Sequence, residues 1–93
     1  MSEEEIKHEI WLKCMQLPNC SPEDAAEFIK AARPYLNYPI TPIGQTLLMI
    51  ATSVGSYWIV RECLINGSEI MIKDTGGRTA LHYAASVGNI KIF

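Results

Sequence analysis

The side chains through which this chain could do chemistry are few: His8, His82, Cys14, Cys20, Cys63 and the turn aspartate Asp74. A histidine base needs a nucleophile or an acid placed beside it, and no motif here sets either histidine near a cysteine. The cysteines are odd in number, three in all, and no interval between them matches a zinc or redox motif. Cys14 and Cys63 fall on apolar faces of helical patterns, where a free thiol packs as a small hydrophobe. Reduced, buried cysteine suits the cytoplasm or nucleus. His8 lies in an acidic helical stretch and reads as solvated. Asp74 reads as a turn former, its carboxylate accepting from nearby backbone N–H groups. Gly76-Gly77 is not a phosphate loop, because no Lys-Ser/Thr follows and no strand pattern precedes. Trp11 and Trp58 have two readings: partner anchors, or core aromatics at helical spacing. No catalytic constellation and no cofactor motif emerges, so the chain reads as a non-enzyme.

Charge narrows the partners. Eight basic and ten acidic residues give a formal net charge of −2, and the basic ones are scattered. That balance offers no attraction to a phosphate backbone, so nucleic acid is not an expected partner. Apolar residues make up 48 % and charged residues 19 % of the 93, a globular composition. Met1-Ser2-Glu3-Glu4-Glu5 lacks the charged-then-apolar order of a signal peptide. No apolar run approaches the roughly 18 residues that span a bilayer, so no membrane insertion is expected.

The elements that position these residues follow from an internal repeat. Gly44–Val60 and Gly77–Phe93 align without a gap at an offset of 33, identical at eight of 17 positions. The shared residues are small, apolar or turn-forming, and so describe a backbone shape rather than an active site. In one unit, Asp74 to Gly77 is a turn, Thr79 an N-cap whose hydroxyl can accept from a free N–H, and Gly88 a left-handed helix stop. The spacing predicts helices over 47–54, 57–65, 80–87 and from about 90 onward. Ile59, Val60, Cys63 and Leu64 form the core stripe of the second of these. Ala51 and Ala84, at one repeat position, leave room for neighbouring helices to approach closely.

The first 40 residues are helical without that motif. Ser2 with Glu5 makes a capping box for a helix over 3–16, with Ile6, Ile10, Cys14 and Leu17 as its stripe, widened by Trp11 and Met15. Ser21-Pro22 opens a second helix over 22–32, with Ala25, Phe28, Ile29 and Ala32 on its apolar face and Arg33-Pro34 at its end.

The pattern resembles the ankyrin repeat. Thr79-Ala80-Leu81-His82 is similar to the family's Thr-Pro-Leu-His start, Ala84-Ala85 and Gly88 to its downstream signals, and Asn66-Gly67 to its helix-to-finger junction. Thr46-Leu47-Leu48-Met49 is a weaker copy, and Met71 stands where the family usually has Asn. The resemblance implies an all-α solenoid of stacked antiparallel helix pairs. Residues 1–38 are then a degenerate N-terminal capping repeat, 39–73 one repeat, and 74–93 a second, incomplete at its C-terminus. It implies that His82 orients the finger by hydrogen bonding and that Cys63 fills a core leucine position. It also implies binding of a partner protein through fingertips and the inner face of the first helices. The matching positions are Pro42, Ile43 and Gln45 at one tip, Thr75, Gly76 and Arg78 at the next, then Ser53 and Val54, and Ser86 and Val87, on the helices. Ile43 has two readings, an exposed apolar tip or a residue tucked under Tyr35 or Tyr38. The alternatives to a binding module are a regulatory or targeting part of a longer enzyme or channel, and a self-associating unit. In that last case two chains would cover the apolar end around Leu81, Ala84 and Ala85 as a homodimer.

Overall fold

The computed structural model describes residues 2–87, and over them the chain is helical. α1 spans Glu3–Gln16, α2 Pro22–Ala32, α3 Leu47–Val54, α4 Tyr57–Ile65 and α5 Ala80–Ser86. α1 packs on α3 and α3 on α5 in one layer, while α2 packs on α4 in the other. α3 also packs on α4, so it joins the two layers. The helix expected from about 90 onward, the Gly88 stop and the incomplete end of the second repeat lie outside the described residues.

α1 and α2 start where a serine side chain meets a free backbone donor. The Ser2 hydroxyl accepts from the Glu5 N–H at 3.2 Å, and Glu5 accepts in return from the Ser2 N–H at 3.4 Å. Ser21 accepts from the Asp24 N–H at 3.1 Å, with Pro22 in the first turn, where no N–H is needed. α3 ends at Gly55, whose φ of 75° is open to glycine without steric penalty. α5 ends one residue earlier than expected, with Val87 as its C-cap at φ −90° and ψ 0°. Arg33–Tyr35 form a 3-10 turn instead of a simple stop, closed by Leu36 N–H donating to the Arg33 carbonyl at 3.2 Å. Pro34 has no N–H with which to continue α2, but its fixed φ fits the tighter turn.

The core runs between the layers. Leu47 through Thr52 are all buried, so α3 is covered on nearly every side. Ala51 and Ala84 are 0 % and 1 % exposed, which leaves no volume for a larger side chain. Thr52 is fully buried and spends its hydroxyl on the Leu48 carbonyl at 2.7 Å. Buried Ser56 donates to the Leu17 carbonyl at 3.0 Å and so ties the end of α1 to the α3–α4 turn. On α1, Ile10 and Cys14 are buried and Ile6, Trp11 and Leu17 partly so, whereas Met15 is exposed and leaves the stripe. Met15 follows Cys14 by one residue, about 100° round the helix and off the face that meets α3. Ile59, Val60 and Cys63 of α4 are buried, with Leu64 half-buried. Trp11 and Trp58 both pack against this core while half-exposed, Trp11 stacking on His8 and Trp58 meeting Tyr57 edge-on with the Arg61 guanidinium 5.7 Å from its ring.

Candidate protein-binding surface

Two loops project from the starts of α3 and α5. The first closes when Ile40 N–H donates to the Gln45 carbonyl at 2.8 Å and Gly44 N–H to the Thr41 carbonyl at 2.9 Å. The second closes when Asp74 N–H donates to the Arg78 carbonyl at 2.8 Å and Gly77 N–H to the Asp74 carbonyl at 3.0 Å. Thr41 and Asp74 occupy one repeat position and do one job. The Thr41 hydroxyl accepts from the Gln45 N–H at 3.1 Å, and the Asp74 carboxylate accepts from the Arg78 N–H at 2.9 Å. Asp74 also accepts from the Gly76 N–H at 2.9 Å, as expected of a turn former.

The loops are fastened to each other. Thr75 donates to the Ile43 carbonyl twice, from its N–H at 2.9 Å and from its hydroxyl at 3.0 Å. Gly44 permits this approach: a Cβ there would lie 3.2 Å from the Thr75 nitrogen, and its φ is 80°. Behind the tips runs a chain of side chains. Thr41 donates to the Gln45 amide oxygen at 3.1 Å, and the Gln45 amide nitrogen donates to the Tyr83 hydroxyl at 3.2 Å. Tyr83 in turn donates to Asp74, which also accepts from Arg78 Nε at 3.0 Å. The Arg78 guanidinium stands 5.4 Å from the Tyr83 ring. The Tyr83 hydrogen bond, with the Arg78 and Gly76 N–H groups and the Arg78 charge, holds the Asp74 carboxyl down to about 2 against its burial. Burial and the bond to Asp74 push the Tyr83 phenol above its ordinary value.

The expected positions therefore divide. Pro42, Ile43, Thr75 and Gly76 are exposed and lie together at the joined tips, with Ile43 at 45 % exposure. Gln45 is half-buried and fully engaged, and Arg78 is exposed but bound to Asp74, so both brace the tips from behind. Ser53, Ser86 and Val87 are exposed and Val54 half-buried. They sit at the far ends of α3 and α5, about 12 Å along an eight-residue helix from the loops. Ser53 bonds its own helix, donating to the Ile50 carbonyl at 2.9 Å.

His82 is a capping residue. Its Nδ1 accepts from the Thr79 N–H at 3.0 Å and lies 3.0 Å from the Thr79 hydroxyl, so the third helical residue reaches back to the N-cap as in a capping box. In the preceding repeat the Met49 sulfur takes that place, 3.4 Å from the Thr46 nitrogen, as a weaker acceptor. Burial pushes the Cys14 and Cys63 thiols up to about 12, which keeps them protonated and unreactive. Among the described residues no group of His, Cys, Asp and Glu could hold a metal ion, and no helix is long and apolar enough to cross a membrane.

Two features escaped the sequence reading. Tyr83 links the loops across 38 residues, a contact that no local pattern carries. Tyr38 and Met71, again 33 apart, are 59 % and 69 % exposed, and the repeat offset was the signal that pairs them.

No curated protein and no solved structure matches the chain. A family model described as ankyrin repeats, three copies, matches residues 17–93. With helix pairs stacked in two layers and loops repeating at 33 residues, the chain belongs to the ankyrin-repeat family.

Proposed function

We propose that this chain is an interaction module that binds a partner protein at the joined fingertips and along the inner helices. Ankyrin repeats are in general protein–protein interaction modules. The observation that carries the reading here is the exposed apolar pair Pro42-Ile43, held beside Thr75 and Gly76 by the two bonds to the Ile43 carbonyl. A surface ordered before binding loses less conformational freedom on association. Residues 1–38 serve as the capping repeat and 39–73 and 74–93 as the repeats that present the surface. Ser53, Val54, Ser86 and Val87 form a second, smaller contact at the helix ends. The two buried free thiols support a reducing compartment, cytoplasm or nucleus. The test is Ile43→Glu, measured for partner binding and for melting temperature together. Binding falls while the melting temperature holds, because the side chain touches solvent rather than core; a loss of stability with binding retained would refute the reading.

A second reading, self-association, has its own observation. Leu48 of α3 is 1 % exposed, but Leu81 at the same repeat position in α5 is 46 % exposed, with Ala85 exposed on the same side; Ala84, also expected on this face, is already covered at 1 %. Two chains meeting over this face would cover Leu81 and Ala85.

A further inference from the structure

A trough of about 690 Å³ lies between α1 and α2, lined by these two helices and Leu17 just beyond α1. Its floor is apolar: Ile10, Phe28 and Ala32 are 8 %, 7 % and 2 % exposed, with Ile6 and Leu17 half-buried beside them. The trough exists because α1 packs chiefly on α3 and α2 chiefly on α4, so the capping pair is spread at its outer side. From Ile6 to Leu17 it runs about 16 Å at 1.5 Å per residue, three turns of helix. A groove between two helices is the shape into which the side-chain ridge of a third helix packs.

Its rim is charged and uneven. Glu9, Asp24 and Glu27 stand around it, all exposed, against the single cation Lys13. The geometry points to a second docking site here, for a basic amphipathic helix of another protein. The apolar stripe of that helix lies on Ile10 and Phe28, and its Lys or Arg residues face Glu9 and Glu27. A second copy of this chain is a poor occupant, because with a net charge of −2 it brings no excess of positive charge. The site is separate from the fingertips: no residue of the trough belongs to either loop.

The probe is a synthetic helix of about five turns with leucines at i, i+3, i+4 and i+7 spacing and lysines on both flanks. Its control carries glutamate at every lysine. Each is titrated into the isotope-labelled chain, with amide shifts read by NMR and affinity by calorimetry. The lysine helix is expected to shift α1 and α2 amides and leave the loops unmoved, and the glutamate helix to bind at least about tenfold more weakly. Glu9→Lys and Glu27→Lys each weaken the lysine helix, whereas Lys13→Glu strengthens it. All three residues are exposed, and circular dichroism verifies that each variant is folded. Equal binding of both helices, shifts centred on α5 or the loops, or indifference to all three charge changes would overturn the proposal. So would a trough already occupied by a second copy, read as dimerisation in sedimentation that Ala31→Arg abolishes.

Discussion

Asp74 carries more of this surface than any other residue, since four donors converge on its two oxygens. With its carboxyl held down to about 2, below the usual 3.8, it stabilises the fold at every pH above about 4. That contribution fades as the pH falls through the interval from about 4 to about 2, where the unfolded chain takes up the proton before the folded one. Tyr83→Phe removes the first of the causes, so the Asp74 carboxyl should titrate nearer 3.8, followed by NMR of its side-chain carbon. An unmoved titration would mean that the loop N–H groups alone set it. Gln45 and Arg78 show why this part of the surface was not readable in advance. Both lie at tip positions in the repeat, and their types suit a polar rim. The approach of Tyr83, brought in by the stacking of α5 on α3, gives the Gln45 amide its partner, while Arg78 stays exposed and braces its own loop through Asp74.

At the scale of the element, the helices were readable because their ends are marked by local chemistry. Ser2, Ser21 and Gly55 act within three residues of themselves, and the 33-residue offset transfers what one repeat shows to the other. What was not readable is which side chain reaches back to the N-cap. The His82 ring takes the Thr79 N–H, and Met49 does the same for Thr46 with a sulfur, at the position where the capping box usually has Glu or Gln. The two loop and cap glycines separate strain from crowding. Gly55→Ala meets nothing within 4 Å and should lose only the left-handed penalty, about 1–2 kcal/mol. Gly44→Ala bears the same penalty and also pushes on the Thr75 nitrogen, so it should unfold at lower urea than Gly55→Ala. Equal midpoints would show that the loops are not fastened as described. Ala51→Leu, at a position with 0 % exposure between stacked helices, should cost about 1–3 kcal/mol in the same experiment.

For the whole molecule, the two inner helices α3 and α5 differ in how far they are covered. α3 is sealed by α1, α4 and α5, while Leu81 on α5 stays 46 % exposed. If chains pair over that face, Leu81→Glu should convert dimer to monomer in sedimentation equilibrium, and a wild-type chain that is monomeric throughout the micromolar range would remove the self-association reading. The central claim concerns the tips, and site-specific photocrosslinking tests it most directly. A photoreactive residue is placed at Ile43, at Thr75, or at Lys30, an exposed position on the outer helix α2. Each chain is irradiated in cell extract with and without excess unlabelled chain as competitor. The account predicts one discrete protein crosslinked from both Ile43 and Thr75, displaced by wild-type chain but not by Ile43→Glu, and absent from Lys30. A specific adduct from Lys30 with none from either tip would contradict it.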